Sequence, residues 1–72
     1  MNQTFGSFVR ERRIACGMTL RGLAAKLSLS PVYVSNIEND RRAAPVQEYL
    51  ERLALLLQLG KADREQMLDL AA

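Results

Sequence analysis

The 72-residue sequence contains no histidine and a single cysteine. Zinc sites built on histidine and cysteine, and triads in which histidine acts as the base, are therefore excluded. Cys16 has no partner for an internal disulfide; it fits a reducing compartment and a small buried side chain. Although 49% of the residues are hydrophobic, no run approaches the roughly 18 apolar residues that span a membrane. The opening MNQTFGSFVRERR lacks the basic-then-apolar order of a secretory signal, since its charges follow the aromatic residues and are of both signs. A cytoplasmic location is expected. No glycine-rich loop ending in lysine is present to hold phosphates, and the carboxylates lie scattered on expected helix surfaces without a convergent pair. Neither catalysis nor a cofactor, metal or small-molecule ligand is expected.

What is present is enough for one domain with a single small core, over residues 1–72. The net charge of +2 hides an asymmetry. Through Arg42 there are seven basic residues against three acidic, a balance of +4; from Ala43 onward three basic face five acidic, a balance of −2. A basic front and an acidic rear fit a one-sided binder of polyanions. Ordinary solvated surface charge is the preferred account of +4 taken alone, so charge supports a binding motif without establishing one.

The chain is organised around Thr19–Glu38, TLRGLAAKLSLSPVYVSNIE. Thr19 is a suitable N-cap, and Leu20, Leu23, Ala24 and Leu27 share one helical face. Ser28-Leu29-Ser30 breaks that period. Ser30-Pro31 then restarts a helix, with a serine cap and a proline at the first position, where an N–H is not needed. Val34 and Ile37 form its inner edge; Val32, Tyr33, Ser35 and Asn36 are left outside. Two short helices joined by a tight turn present the second one outward.

Leu23-Ala24, Leu29, Ser30, Val34, Ile37 and Glu38, with Pro45 after a short basic loop, resemble in register the helix-turn-helix of the Cro/Xre family of lambdoid phage repressors. The resemblance covers about residues 8–57. It implies an all-α, five-helix, lambda-repressor-like domain that binds duplex DNA and regulates transcription, as a repressor on a two-fold symmetric operator. The third helix enters the major groove in that family. The positions that meet bases hold Pro31, Val32, Tyr33 and Asn36, and Asn36 can pair with both N6 and N7 of adenine. Tyr33 has an alternative reading as a partly buried support for the helix. Thr19, Arg21, Ser30, Asn39, Arg41 and Arg42 are the expected phosphate contacts. Arg13 matches the position that pairs with Glu38, while Arg10 and Arg12 are expected in water. Ser28 stands where the family has a glycine with positive φ, and Leu20 replaces a glutamine that contacts phosphate. Asp40, in a loop meant for phosphate, has no rationale in the sequence. Gly22 suggests a close helix–helix approach.

The outer helices complete the reading. Thr4 caps a first helix to about Ala15, with Phe5, Phe8, Val9 and Cys16 on one side and Gly17 as its stop. Pro45 is expected to open a fourth helix with Val46, Leu50, Leu53, Ala54 and Leu57 inside, and Gly60 to end it. A fifth is expected over about 62–71, with Met67, Leu68, Leu70 and Ala71 as its apolar set. Leu55, Leu56 and Leu59 widen the apolar surface, so a homodimer face containing Leu59, Met67 and Leu70 is expected; closure of a monomeric core is the alternative. A protein-interaction module such as an antitoxin, or the DNA-binding head of a longer regulator, are the competing functions.

Overall fold

The computed structural model describes residues 3–72, which form five helices: α1 Phe5–Ala15, α2 Leu20–Leu27, α3 Pro31–Glu38, α4 Gln47–Leu56 and α5 Lys61–Ala71. No strand occurs among the described residues, so the fold is all-α. None of these helices is long and apolar enough to cross a membrane. Helix α1 packs on α3 and α5, and α2 packs on α3 and α4. The core sits between them, with Phe8, Val9, Leu23, Ala24, Val34, Ile37, Leu50, Leu53, Leu57 and Met67 buried together. Every helix supplies part of one apolar cluster because none is long enough to be stable by itself.

The helix starts follow from hydroxyl caps. Thr4 Oγ1 accepts from the Ser7 N–H at 3.1 Å while Ser7 Oγ accepts from the Thr4 N–H at 3.0 Å, a reciprocal capping box. Thr19 accepts from the Gly22 N–H at 2.9 Å, and Ser30 from the Tyr33 N–H at 3.1 Å. Gly22 is thereby explained without a helix–helix approach: the nearest atom to an added Cβ is the Thr19 hydroxyl of its own cap. The close approach lies at Gly6 instead. A Cβ there would lie 2.6 Å from the Glu38 carbonyl oxygen and run into that of Ile37.

The ends of α1 to α4 share one device. Gly17, Ser28, Asp40 and Gln58 all take positive φ, at 73°, 58°, 60° and 54°. After each, a backbone N–H reaches back five residues: Met18 to Arg13, Leu29 to Ala24, Arg41 to Asn36 and Leu59 to Ala54, at 2.8–3.1 Å. This is the Schellman closure, which satisfies carbonyls that the last turn leaves free. Only one of the four positions is glycine.

Several expectations are corrected by the packing. Pro45 does not open α4, which starts at Gln47 after Val46 as an extended cap; Val46 is 68% exposed, not an inner residue. Gln58 ends α4, whereas Gly60, with φ −74°, is the N-cap of α5. Cys16 is exposed beyond the end of α1, where its thiol donates to the Leu57 carbonyl at 3.3 Å. Arg12 is not merely solvated. Its guanidinium lies 5.1 Å from the Phe8 ring centroid and 3.0 Å from Asp63, joining α1 to α5. Met67 is wholly buried in the chain's own core and offers no surface to a second copy, while Leu59 and Leu70 are half-buried against that core.

Candidate nucleic-acid interface

Helix α3 turns Val34, Ile37 and Glu38 inward. The 100° step between residues then points Val32, Ser35, Asn36 and Asn39 outward on one strip. Val32 is 71% exposed and Pro31 is also open, while Ser35 and Asn36 are partly covered at the strip's edge. Ser35, outside the expected contact set, shares this strip; its spacing of three from Val32 was the available signal. Tyr33 is half-buried against the core, and the Arg42 guanidinium lies 5.4 Å from its ring centroid. Asn39 is turned back on its own helix, where its side-chain amide donates to the Ser35 carbonyl at 2.8 Å. That bond closes the helix end and ties up the amide that the sequence assigns to phosphate.

Around the strip lie groups suited to a phosphate backbone. Thr19 and Ser30 each use the hydroxyl oxygen to cap a helix, which leaves the hydroxyl hydrogen available to an outside acceptor. Both sit at helix N-termini, where first-turn N–H groups and the helix dipole favour anions. Arg21, Lys26, Arg41 and Arg42 are exposed. The Arg41 and Arg42 amides donate to the Asn36 carbonyl at 2.8 and 3.3 Å, so this loop folds directly against the end of α3.

The acidic residues of this half are all engaged inside the chain. Glu38 accepts from Arg13 twice, Nε to Oε2 at 2.8 Å and Nη2 to Oε1 at 3.1 Å, and Arg13 Nη1 also donates to the Met18 carbonyl at 2.9 Å. The two side chains are 11% and 3% exposed. This parallel two-bond pairing fixes orientation as well as distance, tying α1 and the Gly17 turn to the end of α3. Asp40, without rationale in the sequence, accepts from the Thr4 hydroxyl at 2.6 Å and from the Gly6 N–H at 3.0 Å. Glu11 accepts from the Gln3 side-chain amide at 2.8 Å. At the foot of α3, Glu38 is thus buried, while Asp40 stays exposed with both oxygens bonded to the first turn of α1, next to the open Arg41 and Arg42.

Comparison with known proteins gives the arrangement a family. A structure of SinR, described as the master regulator for biofilm formation and solved in complex with DNA, is similar at 25% identity with a TM-score of 0.76; the alignment covers 90% of this chain and 98% of that one. A chain of a SinR–SinI complex is similar at 26% identity and the same TM-score, 0.76; the alignment covers 92% of this chain and 61% of that one. No curated protein sequence matches. A helix-turn-helix domain model matches residues 4–67, nearly the whole described chain, and the protein belongs to the helix-turn-helix domain family.

Proposed function

We propose that the chain binds duplex DNA sequence-specifically as a Cro/Xre-type transcriptional regulator, with α3 lying in the major groove. The observation that carries this reading is the outward strip of α3, an apolar Val32 and an amide Asn36, flanked by exposed arginines while Glu38 is buried in its pair with Arg13 and Asp40 is bonded to the start of α1. Val32 packs on a thymine methyl and Asn36 pairs with adenine; both are base-edge chemistries of the major groove. Pro31 brings no hydrogen bond, so shape and apolar contact carry more of the selectivity at that end. Arg41, Arg42, Arg21 and the Thr19 and Ser30 hydroxyls set the domain on the sugar-phosphate backbone. That the similar SinR was solved in complex with DNA supports DNA binding by this chain.

The chain acts as a homodimer on a two-fold symmetric operator, with half-sites about 34 Å apart. The open Leu55, 80% exposed on α4, and the half-buried Leu59 and Leu70 support a face on the rear helices. Sedimentation showing only monomer at tens of micromolar removes this part of the proposal.

The first test is selection from a random-sequence duplex library at two salt concentrations, followed by sequencing of the bound fraction. A palindromic motif with strong salt dependence is the expected result. Asn36→Ala then relaxes preference at one base position, whereas Arg41→Ala and Arg42→Ala weaken all sequences and each lower the salt slope by about one. Enrichment of no sequence, with only weak binding at low salt, overturns the reading and favours a protein-interaction module.

A further inference from the structure

A carboxylate in a phosphate-binding loop ought to weaken DNA binding by simple charge. The contacts of Asp40 point the other way. It sits at the left-handed position that closes α3, immediately before Arg41 and Arg42. Ser28 and Gln58 hold the same left-handed conformation without tertiary side-chain bonds, whereas Asp40 makes two. Its two oxygens accept from Thr4 Oγ1 at 2.6 Å and from the Gly6 N–H at 3.0 Å, although Asp40 is 34 to 36 residues away in sequence. The first turn of α1 contains no acidic residue, so Asp40 supplies the negative group that its free N–H and dipole favour. Gly6 completes the fit, because a Cβ there would lie 2.7 Å from Asp40 Oδ1.

We propose that Asp40 is a positioning residue for DNA binding: it latches the loop after the recognition helix to the N-terminus of α1 and so presents Arg41 and Arg42 to phosphate. This rests on the DNA-binding reading above. The latch holds the loop at Asp40, and the Tyr33 ring lies 5.4 Å from the Arg42 guanidinium at its other end. Between them the backbone of Arg41 and Arg42 is held by bonds to the Asn36 carbonyl. A loop ordered before binding loses less entropy when it meets phosphate. The carboxylate, though exposed, is bonded to the first turn of α1, where the helix N-terminus offsets part of its charge.

The test is Asp40→Gly, which removes the carboxylate while relaxing the backbone, measured on a mixed-sequence duplex at low salt and well below the melting transition. Direct repulsion predicts tighter binding. The latch predicts weaker binding, on the order of fivefold, and an Arg42→Ala penalty that shrinks in the Asp40→Gly background. Unchanged or tighter binding by a folded Asp40→Gly overturns the proposal. If the unaltered protein binds no duplex, the DNA-binding reading fails, and the phosphate-presenting role proposed for Asp40 is overturned with it. The latch as a structural contact is then read separately from amide exchange at Gly6 and backbone relaxation at Arg41 and Arg42. Faster exchange and a looser loop in the variant show that the contact orders the loop; identical values show that it does not.

Discussion

The front and rear of this domain are held together by different chemistry. At the front, α1 and α3 are joined by directional polar contacts: the two-bond Arg13–Glu38 pair and the Asp40 bonds to Thr4 and Gly6. At the rear, α4 and α5 contribute Leu50, Leu53, Leu57 and Met67 to the core. Their ion pairs, Arg52–Glu48 at 3.6 Å and Arg64–Glu51 at 3.9 Å, join side chains that are largely open to solvent. Apolar contact is non-directional and leaves helices free to settle by small rotations, whereas paired hydrogen bonds fix both angle and distance. The buried two-bond pair and the Asp40 bonds are concentrated at α3 and the Arg41–Arg42 loop, whereas the rear is joined mainly by apolar packing, with the half-open Arg12–Asp63 bond at 3.0 Å tying α5 to α1.

That contrast can be broken most severely at Glu38. Replacing Glu38 with Ala leaves the Arg13 guanidinium buried without its partner and is expected to cost about 3–5 kcal/mol in chemical denaturation. Arg13→Lys is also poorly tolerated, because an ammonium cannot reproduce the planar two-bond geometry. A loss below about 1 kcal/mol for Glu38→Ala would mean that the Arg13–Glu38 pair contributes little to holding α1 on α3.

Met67 gives the rear counterpart. Met67→Ala is expected to cost about 2–5 kcal/mol, since it opens a cavity at a fully buried site, but Met67→Leu less than about 1.5 kcal/mol. Thermal melts of the two variants check it. A leucine as damaging as alanine would show that shape, and not volume, governs the rear.

A smaller effect of opposite sign is expected at the left-handed helix ends. Ser28→Gly and Gln58→Gly each remove the steric penalty of a side chain at positive φ, for a gain of about 0.5–1 kcal/mol in denaturation midpoint experiments. Asp40→Gly relaxes the same backbone but loses its two tertiary bonds, so its gain should be absent or reversed. Equal gains at all three positions would show that the Asp40 contacts contribute nothing to stability. The smallest change is expected at Arg52→Ala, within about 0.5 kcal/mol, because its pair with Glu48 is exposed and screened.

Local signals were legible wherever one residue dictates its own neighbourhood. Thr4, Thr19 and Ser30-Pro31 mark three helix starts, and Gly17 marks one end, because a cap or a left-handed glycine acts on N–H and carbonyl groups a few residues away. Pro45 and Gly60 misled for the same reason in reverse. Their usual roles are strong, but Gln58 could take the left-handed turn once α4 and α5 were packed, leaving Gly60 free to start a helix. At the candidate site, the outward strip on α3 follows from periodicity. The folding of the Asn39 amide back onto α3, the Arg12–Asp63 pair and the contacts of Asp40 do not, since each depends on where a distant or folded-back segment comes to rest.

The sequence by itself determined five helices, three of their caps, the two-helix motif and its outward strip, because these rest on interactions across three to five residues. Tertiary structure decided what each charge is for. Whether Asp40 repels phosphate or caps α1, whether Arg12 is solvated or bonded, and whether Met67 is surface or core depend on residues 34 to 51 positions away or on the whole apolar cluster. A charge takes its role from what lies within a few ångströms of it, and only the folded chain brings those neighbours together.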